Sequence, residues 1–176
     1  VLAKVRSHPE VLAASPFVYG KAMISARGIS DGIVVKGVDL EAESGVTEIA
    51  RYVESITPPR LDPEAGELPG IILGVHVADN LQVTLGERVQ LMAPQVGAAS
   101  PLGYVPRVRN FRLVGLFRSG MYEYDATLAF IGLRQAQDFL AMGESVSALE
   151  IRIREMYRAP AVAASLLEAV GGFPYR

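Results

Sequence analysis

Short apolar runs separated by turn residues predict that this chain is rich in β-strands. Residues 33–38 and 70–73 are short, mostly apolar runs, as buried strands are. Residues 88–92, 111–117 and 127–131 are also strand-like. Residues 148–154 alternate, with Leu149, Ile151 and Ile153 on one side and charged residues on the other, which predicts a half-solvated strand. Residues 11–27 are strand-like as well, and we expect Pro16 and Gly20 to break them.

Other segments have a helical period. Residues 2–7, 75–81 and 133–142 predict helices, and a helix from Pro160 is expected to end at Gly171 and Gly172. Apolar positions three or four residues apart predict an amphipathic helix over residues 46–56. Residues 93–106 contain three prolines and two glycines, which predicts a loop.

The order of these elements predicts an α+β fold in two parts. Residues 1–40 and 143–176 would form a split α/β subdomain. Residues 41–142 would form an inserted, mostly β subdomain. With 176 residues, the chain suits one domain or two small subdomains.

Composition narrows the classes of function. Half of the residues are hydrophobic, so a packed core is expected, yet no apolar run approaches the ~20 residues that cross a bilayer. The net charge of −2 lacks the basic excess of a nucleic-acid binder. Without cysteine, disulfides and thiolate metal sites are excluded. Since the chain opens on Val1 and stops after Arg176, we expect both ends to lie inside a longer protein.

Candidate chemistry is sparse. The chain has two histidines, His8 and His76, whereas a metal site normally needs about three or four convergent ligands. We therefore expect no metal and no cofactor. Glu123 and Asp125, flanked by tyrosines, could form an acid/base pair, but a structural turn is the favoured interpretation. We therefore expect no catalytic residues and no enzymatic activity.

One motif is distinctive in its setting. The sequence Gly120-Met121-Tyr122-Glu123-Tyr124-Asp125 follows the strand 111–117 and precedes the strand 127–131 and its helix. Together with residues 70–74 and 83–88, it resembles the periplasmic domain of the lipoprotein-releasing (Lol) ABC transporter permeases, the LolC/LolE family. The resemblance covers about residues 11–170. The chain is also similar, more distantly, to the periplasmic core of MacB-type permeases.

The resemblance implies a periplasmic domain of an inner-membrane permease, between the first two of four transmembrane helices. A separate ABC ATPase subunit would power the permease, which would pass lipoprotein cargo to the periplasmic chaperone LolA. Domains of this family have a split α/β "porter" subdomain and an inserted, mostly β "sabre" subdomain. Both match the two parts expected from the order of elements.

LolC-type members also carry a protruding β-hairpin loop, the hook, which captures LolA. The matching segment is residues 94–111. Its tip is expected to be Ser100, Pro101, Leu102, Gly103, Tyr104, Val105 and Pro106. In the family, a nearby group of polar residues, the pad, supports this contact. By position it falls on Gln90, Val108 and Arg109. Arg109 keeps the basic character of the family, whereas Val108 replaces a polar residue and Gln90 replaces a basic one.

The residues of this segment suit partner binding. Pro101 and Pro106 restrict the free loop, so less entropy is lost on binding. Leu102, Tyr104 and Val105 are apolar or aromatic, and tyrosine is frequent at interface hot spots. Three alternatives stay open: a plain surface loop packed on its own domain, a MacB/FtsX-like domain that docks an adaptor protein, and an enzyme that uses Glu123 and Asp125.

Overall fold

The computed structural model describes residues 1–47, 49–55, 57–101 and 103–172. Its strands are β1 (Val11–Ala26), β2 (Ile29–Val38), β3 (Val53–Glu54), β4 (Gly70–Gly74), β5 (Arg88–Ser100), β6 (Gly103–Phe117), β7 (Leu128–Gly132) and β8 (Ala148–Ile153). Its helices are α1 (Leu2–Arg6), α2 (Leu40–Ser44), α3 (Val75–Leu81), α4 (Tyr122–Asp125), α5 (Leu133–Phe139) and α6 (Ala159–Val170). The α+β class predicted from the sequence is confirmed.

The strands form one sheet that closes on itself. The order β2-β7-β4-β6-β5-β1 is completed by pairing of β1 with β2, so these strands form a ring. Strands from both predicted subdomains take part, and the boundaries at residues 40 and 142 stay a prediction. Most pairs are antiparallel, while β2–β7 and β4–β6 are parallel.

The main core fills the inside of this ring. Inward residues of every ring strand are buried, and α3 and α5 add their apolar faces. Its largest fully buried side chains include Phe111, Phe139 and Leu91. A second cluster, around Val162 and Leu166 of α6, packs α1, β8 and α6 together. None of the described helices is long and apolar enough to span a membrane.

Strand β1 runs unbroken through Pro16 and Gly20, contrary to prediction. Pro16 pairs with Leu149 of β8, and the pairing with β2 begins only at Phe17, so the missing N–H of Pro16 faces no strand that needs it. Gly20 gives room to α5, because a Cβ there would lie 2.5 Å from Leu140 Cδ1.

The helix predicted over residues 46–56 is wrong. The chain forms α2 earlier, because the Asp39 carboxylate caps it by accepting hydrogen bonds from Glu41 N (3.0 Å) and Ala42 N (3.2 Å). A short 3₁₀ turn (Ile49–Tyr52) and β3 follow. Ile49 and Val53 still pack on a separate buried cluster that includes Val38 and Phe130, so their spacing reflects burial and not a helix. Ile56 lies outside the described residues.

Candidate partner-binding site

The segment predicted as a loop consists largely of two strand arms. Strands β5 and β6 pair from Arg88–Arg112 at the base to Ser100–Gly103 at the turn. The loop prediction over residues 93–106 is therefore wrong. The prolines lack a backbone N–H, but the other residues of the two strands supply enough N–H donors for pairing. The arm has the hairpin form implied by the resemblance.

The outer part of this hairpin, residues 94–106, pairs only with itself among the described residues. Pairing of β5 with β1 ends at Met92, and β6 meets β4 only from Arg112 onwards. Most described side chains beyond Ala93 are exposed; Tyr104 is 55% and Val105 56% exposed. We call this part the outer hairpin. It presents Tyr104 and Val105 to solvent, whereas Val96 near its base packs against the main core.

A bulge separates the outer hairpin from the base. The register moves from Ala93–Arg107 to Gly97–Pro106, which leaves residues 94–96 unmatched on β5. Gln95 in the bulge donates through Nε2 to the carbonyl of Lys21, 2.8 Å away. Gly97 is required beyond it, because a Cβ would lie 2.1 Å from the carbonyl oxygen of Val105 on the opposite arm.

Because side chains alternate along a strand, the two faces of the outer hairpin differ. Tyr104 and Pro106 lie on the face of Val108, while Val105 lies on that of Arg107 and Arg109. Thus apolar groups are offered on both faces. Leu102, one of the predicted tip residues, lies outside the described residues, and Pro101 beside it is exposed.

The predicted pad is divided between these two faces. Gln90 and Val108 lie on the outward side of the base, where Gln90 Nε2 donates to Asn110 Oδ1 at 3.4 Å. Arg109 is on the other face, with its Nη1 3.3 Å from Gln135 Oε1 and its Nη2 3.7 Å from Asp138 Oδ2. Arg107 also reaches helix α5, through the carbonyl of Asp138. The arginines thus brace the base of the hairpin against α5.

The acidic pair in the motif 120–125 does not converge on a common point. Asp125 is buried, and its Oδ1 accepts hydrogen bonds from Ser119 N (2.7 Å) and Ser119 Oγ (2.8 Å), while Oδ2 accepts from Gly120 N (3.0 Å). Burial alone would raise the pKa of Asp125, but these hydrogen bonds outweigh it and lower the pKa. Glu123 is exposed. Asp125 therefore holds a turn together.

The histidines also have local partners. His8 Nδ1 accepts from Glu10 N at 3.2 Å, and its Nε2 is 3.1 Å from Ser165 Oγ. The ring of His76 lies 5.0 Å from that of Tyr122. Within the described part of the chain, no three His, Cys, Asp or Glu side chains are grouped to hold a metal ion.

A buried charge cluster was missed by sequence reasoning. Lys36 Nζ donates to Glu43 Oε1 at 2.8 Å and to both carboxylate oxygens of Glu150, at 2.8 and 2.9 Å. Burial and the neighbouring Glu43 raise the pKa of Glu150. Burial would also raise the pKa of Glu43, but its hydrogen bonds with Glu150 and Lys36 lower it. The cluster ties β2, α2 and β8 together, and only its lysine in an apolar strand could have revealed it.

The fold is similar to that of solved domains of known proteins. The chain is similar to the extracellular domain of the noncanonic ABC-type transporter YknZ from Gram-positive bacteria, with a TM-score of 0.62 at 10% identity over 97% of this chain and 82% of that one. It is also similar to the periplasmic region of MacB from Actinobacillus actinomycetemcomitans, with a TM-score of 0.56 at 12% identity over 96% of this chain and 70% of that one. These likenesses place the fold among extracytoplasmic domains of ABC transporters.

Curated relatives are more specific. The chain is 31% identical over 162 residues to the lipoprotein-releasing system transmembrane protein LolC of Neisseria meningitidis serogroup B, covering 89% of this chain and 37% of the relative. It is 24% identical over 166 residues to LolE of Haemophilus influenzae, covering 93% of this chain and 38% of the relative. The predicted resemblance to the LolC/LolE family is confirmed. The chain spans less than two fifths of the length of these relatives, and no protein-family model matches it.

Proposed function

We propose that this domain is the periplasmic part of a lipoprotein-releasing ABC permease of the inner membrane and that its hairpin recruits a LolA-type carrier protein. In the full permease, a separate ATPase subunit would supply the energy, and the carrier would receive the lipoprotein cargo. The domain itself would bind and not catalyse. The observation that carries the proposal is the outer hairpin, which exposes Tyr104 and Val105 and pairs only with itself.

Physical reasons support binding through this element. An exposed aromatic side chain on a two-stranded arm gains contact area when a partner covers it, with little loss of its own entropy. Pro101 and Pro106 restrict the arm before binding, which lowers the ordering cost. The bracing of Arg107 and Arg109 on α5 holds the base of the arm in one orientation. The hairpin is therefore prepared for a protein surface with an apolar groove.

The test is a calorimetric titration of the chain with the LolA-type carrier encoded in the same genome. Tyr104→Ala, Leu102→Glu and Pro101→Gly are expected to weaken binding, the first by at least about tenfold, as for a hot-spot tyrosine. The matched control is Tyr122→Ala, because Tyr122 of α4 is 71% exposed but lies away from the hairpin. Its affinity should stay within about twofold of the wild type.

Two results would contradict the proposal. If all three hairpin variants still bind the carrier tightly, the hairpin is not part of the interface. Binding to a periplasmic adaptor protein, with none to the carrier, would favour the MacB-like alternative.

A further inference from the structure

Strand β8 lies outside the ring and is attached to the rest of the domain by three kinds of contact. Its residues 148–153 form a ladder with β1. On one face, Leu149 and Ile151 join the apolar cluster of α1 and α6. On the opposite face, Glu150 reaches Lys36 of β2, which also binds Glu43 of α2. The charge cluster of these last three residues therefore holds β8 on β2 and α2.

The charge cluster has one cation for two carboxyl groups. Lys36 Nζ lies 2.8 Å from Glu43 Oε1 and 2.8 and 2.9 Å from the two carboxyl oxygens of Glu150. The side chain of Lys36 is 10% and that of Glu43 1% exposed, whereas that of Glu150 is 32% exposed. If both carboxyl groups were ionised, a surplus negative charge would remain in a largely buried site, which is costly. A proton on one of them removes this cost.

Among the described residues, the other neighbours of the cluster do not supply a second cation at this site. From β1, Ser15 and Phe17 face it, and neither carries a charge. Thr47 Oγ1 donates a hydrogen bond to Glu43 Oε1 at 3.2 Å. Arg152 lies on the same side of β8 but is exposed, and α1 and α6 pack on the opposite face of this strand. The surplus charge is therefore left for a proton to neutralise.

The two carboxyl groups differ in their access to that proton. Burial and the neighbouring Glu43 raise the pKa of Glu150. Burial would also raise the pKa of Glu43, but its hydrogen bonds with Glu150 and Lys36 lower it. Glu43 is therefore the group that stays ionised beside Lys36. Because water reaches Glu150, this side chain can exchange its proton with solvent.

We infer that Glu150 shares one proton with Glu43 and that loss of this proton loosens β8 from β2 and α2. When Glu150 ionises, its proton passes to water, and two carboxylates then face one ammonium group. Their repulsion favours movement of the Glu150 side chain into solvent. The ladder with β1 and the apolar contacts with α1 and α6 remain, so β8 is held less firmly but is not released. The inference is independent of carrier binding, because it concerns contacts within the chain.

Glu150→Gln is the decisive variant, because glutamine keeps the shape and offers an N–H where the protonated carboxyl group offers its O–H. Since the pKa of Glu150 is raised in the folded state, its contribution to stability is present below the pKa of the unfolded chain and is lost as the pH rises through the folded value. The wild type and the variant should therefore have similar urea midpoints at about pH 4, while at about pH 8 the midpoint of the variant should be higher by roughly 0.5 M. Glu144→Gln, at an exposed acid before β8, is the control and should follow the wild type at both pH values.

The effect should be concentrated in β8. Hydrogen exchange, corrected for the intrinsic effect of pH on amide rates, should show that protection of residues 148–153 falls about tenfold relative to β4 between the two pH values. In Glu150→Gln this ratio should stay constant. If the variant does not fold, a carbon-13 NMR titration of the side-chain carboxyl groups of the wild type tests the inference, since two groups that share a proton titrate in coupled steps.

An ordinary ion pair would give the opposite result. If Lys36 and Glu150 simply attract each other, Glu150→Gln should be less stable than the wild type at about pH 8, by a gap that grows as the pH rises, and the inference is overturned. It is also overturned if the two proteins have equal midpoints at both pH values, if the protection of β8 relative to β4 does not change in the wild type, or if Glu43 and Glu150 titrate independently.

Discussion

The ring of strands and the outer hairpin are built in opposite ways, although β5 and β6 run through both. In the ring, side chains of these strands such as Leu91 and Phe111 are fully buried. In the outer hairpin, most described side chains of the same strands are exposed, although Val96 packs against the core and Gln95 donates to the carbonyl of Lys21. The difference teaches that burial stabilises the ring, whereas the outer hairpin leaves Tyr104 and Val105 accessible to solvent.

Among the polar groups, the largest expected loss of stability comes from the charge cluster around Lys36. Lys36→Met removes the cation that compensates Glu43, which is 1% exposed, and should lower the free energy of unfolding by about 3 kcal/mol. Urea denaturation followed by circular dichroism measures it. The control is Lys21→Met, an exposed lysine of β1, with an expected change within about 0.5 kcal/mol. Equal effects of the two variants would show that the cluster does not stabilise the ring.

The next largest loss of stability is expected at the turn that Asp125 holds together. Asp125→Asn keeps the shape but loses the charge that accepts hydrogen bonds from Ser119 and Gly120, and it should cost about 2 kcal/mol at pH 7. Glu123→Gln, on the exposed side of the same turn, should cost almost nothing. Denaturation midpoints of both variants provide the measurement, and a Glu123 effect as large as that of Asp125 would contradict the assigned role.

The same carboxylate predicts a pH dependence. The pKa of Asp125 is lowered in the folded state, so its contribution is present above the pKa of the unfolded chain and is lost as the pH falls through the folded value. The stability gap between the wild type and Asp125→Asn should therefore be widest near neutrality and shrink in acid. Urea midpoints from pH 7 to about pH 3 measure it; a gap that widens in acid would reverse the sign and refute the argument.

A smaller effect is expected in the outer hairpin. Gly97→Ala forces a Cβ against the carbonyl of Val105 and should open this part of the ladder at a local cost of about 1 kcal/mol. Hydrogen exchange should become faster for amides of residues 97–106, while amides of the ring keep their protection. Loss of protection in the ring would mean that the two regions do not behave as separate units.

The smallest effect is expected at the exposed tyrosine. Tyr104→Ala should change the unfolding free energy by no more than about 0.5 kcal/mol, because the side chain contributes little to the core. Thermal denaturation measures it, with Phe111→Ala as the comparison, which should cost about 3–5 kcal/mol. A large loss at Tyr104 would show that the outer hairpin supports the fold.

Sequence reasoning succeeded where one pattern had one cause. The helices α1, α3 and α6 and the strand β8 follow directly from period, capping and alternation. It failed over residues 46–56, because the spacing of Ile49 and Val53 serves burial in a 3₁₀ turn and a short strand. It also failed at Pro16, because a proline is accepted in β1 only where its missing N–H faces a side without a partner strand, and the sequence does not show which side that is.

The candidate site divides in the same manner. The hairpin segment was found through the resemblance, because prolines and glycines alone indicated a loop. The pairing of β1 with β5 beside the hairpin could not be predicted, since these two strands are distant in sequence. The ionic contacts of Lys36 likewise join residues 7 and 114 positions away.

The bulge at residues 94–96 bears on how this arm can change in evolution. Since pairing restarts beyond the bulge, opposed residues could be gained or lost near the turn while every contact inside the ring is kept. Adding or removing one residue in one strand would exchange the faces of Tyr104 and Val105. Adding or removing two residues in each strand would preserve these faces. The reach of the outer hairpin can therefore change while the packing of the ring is kept.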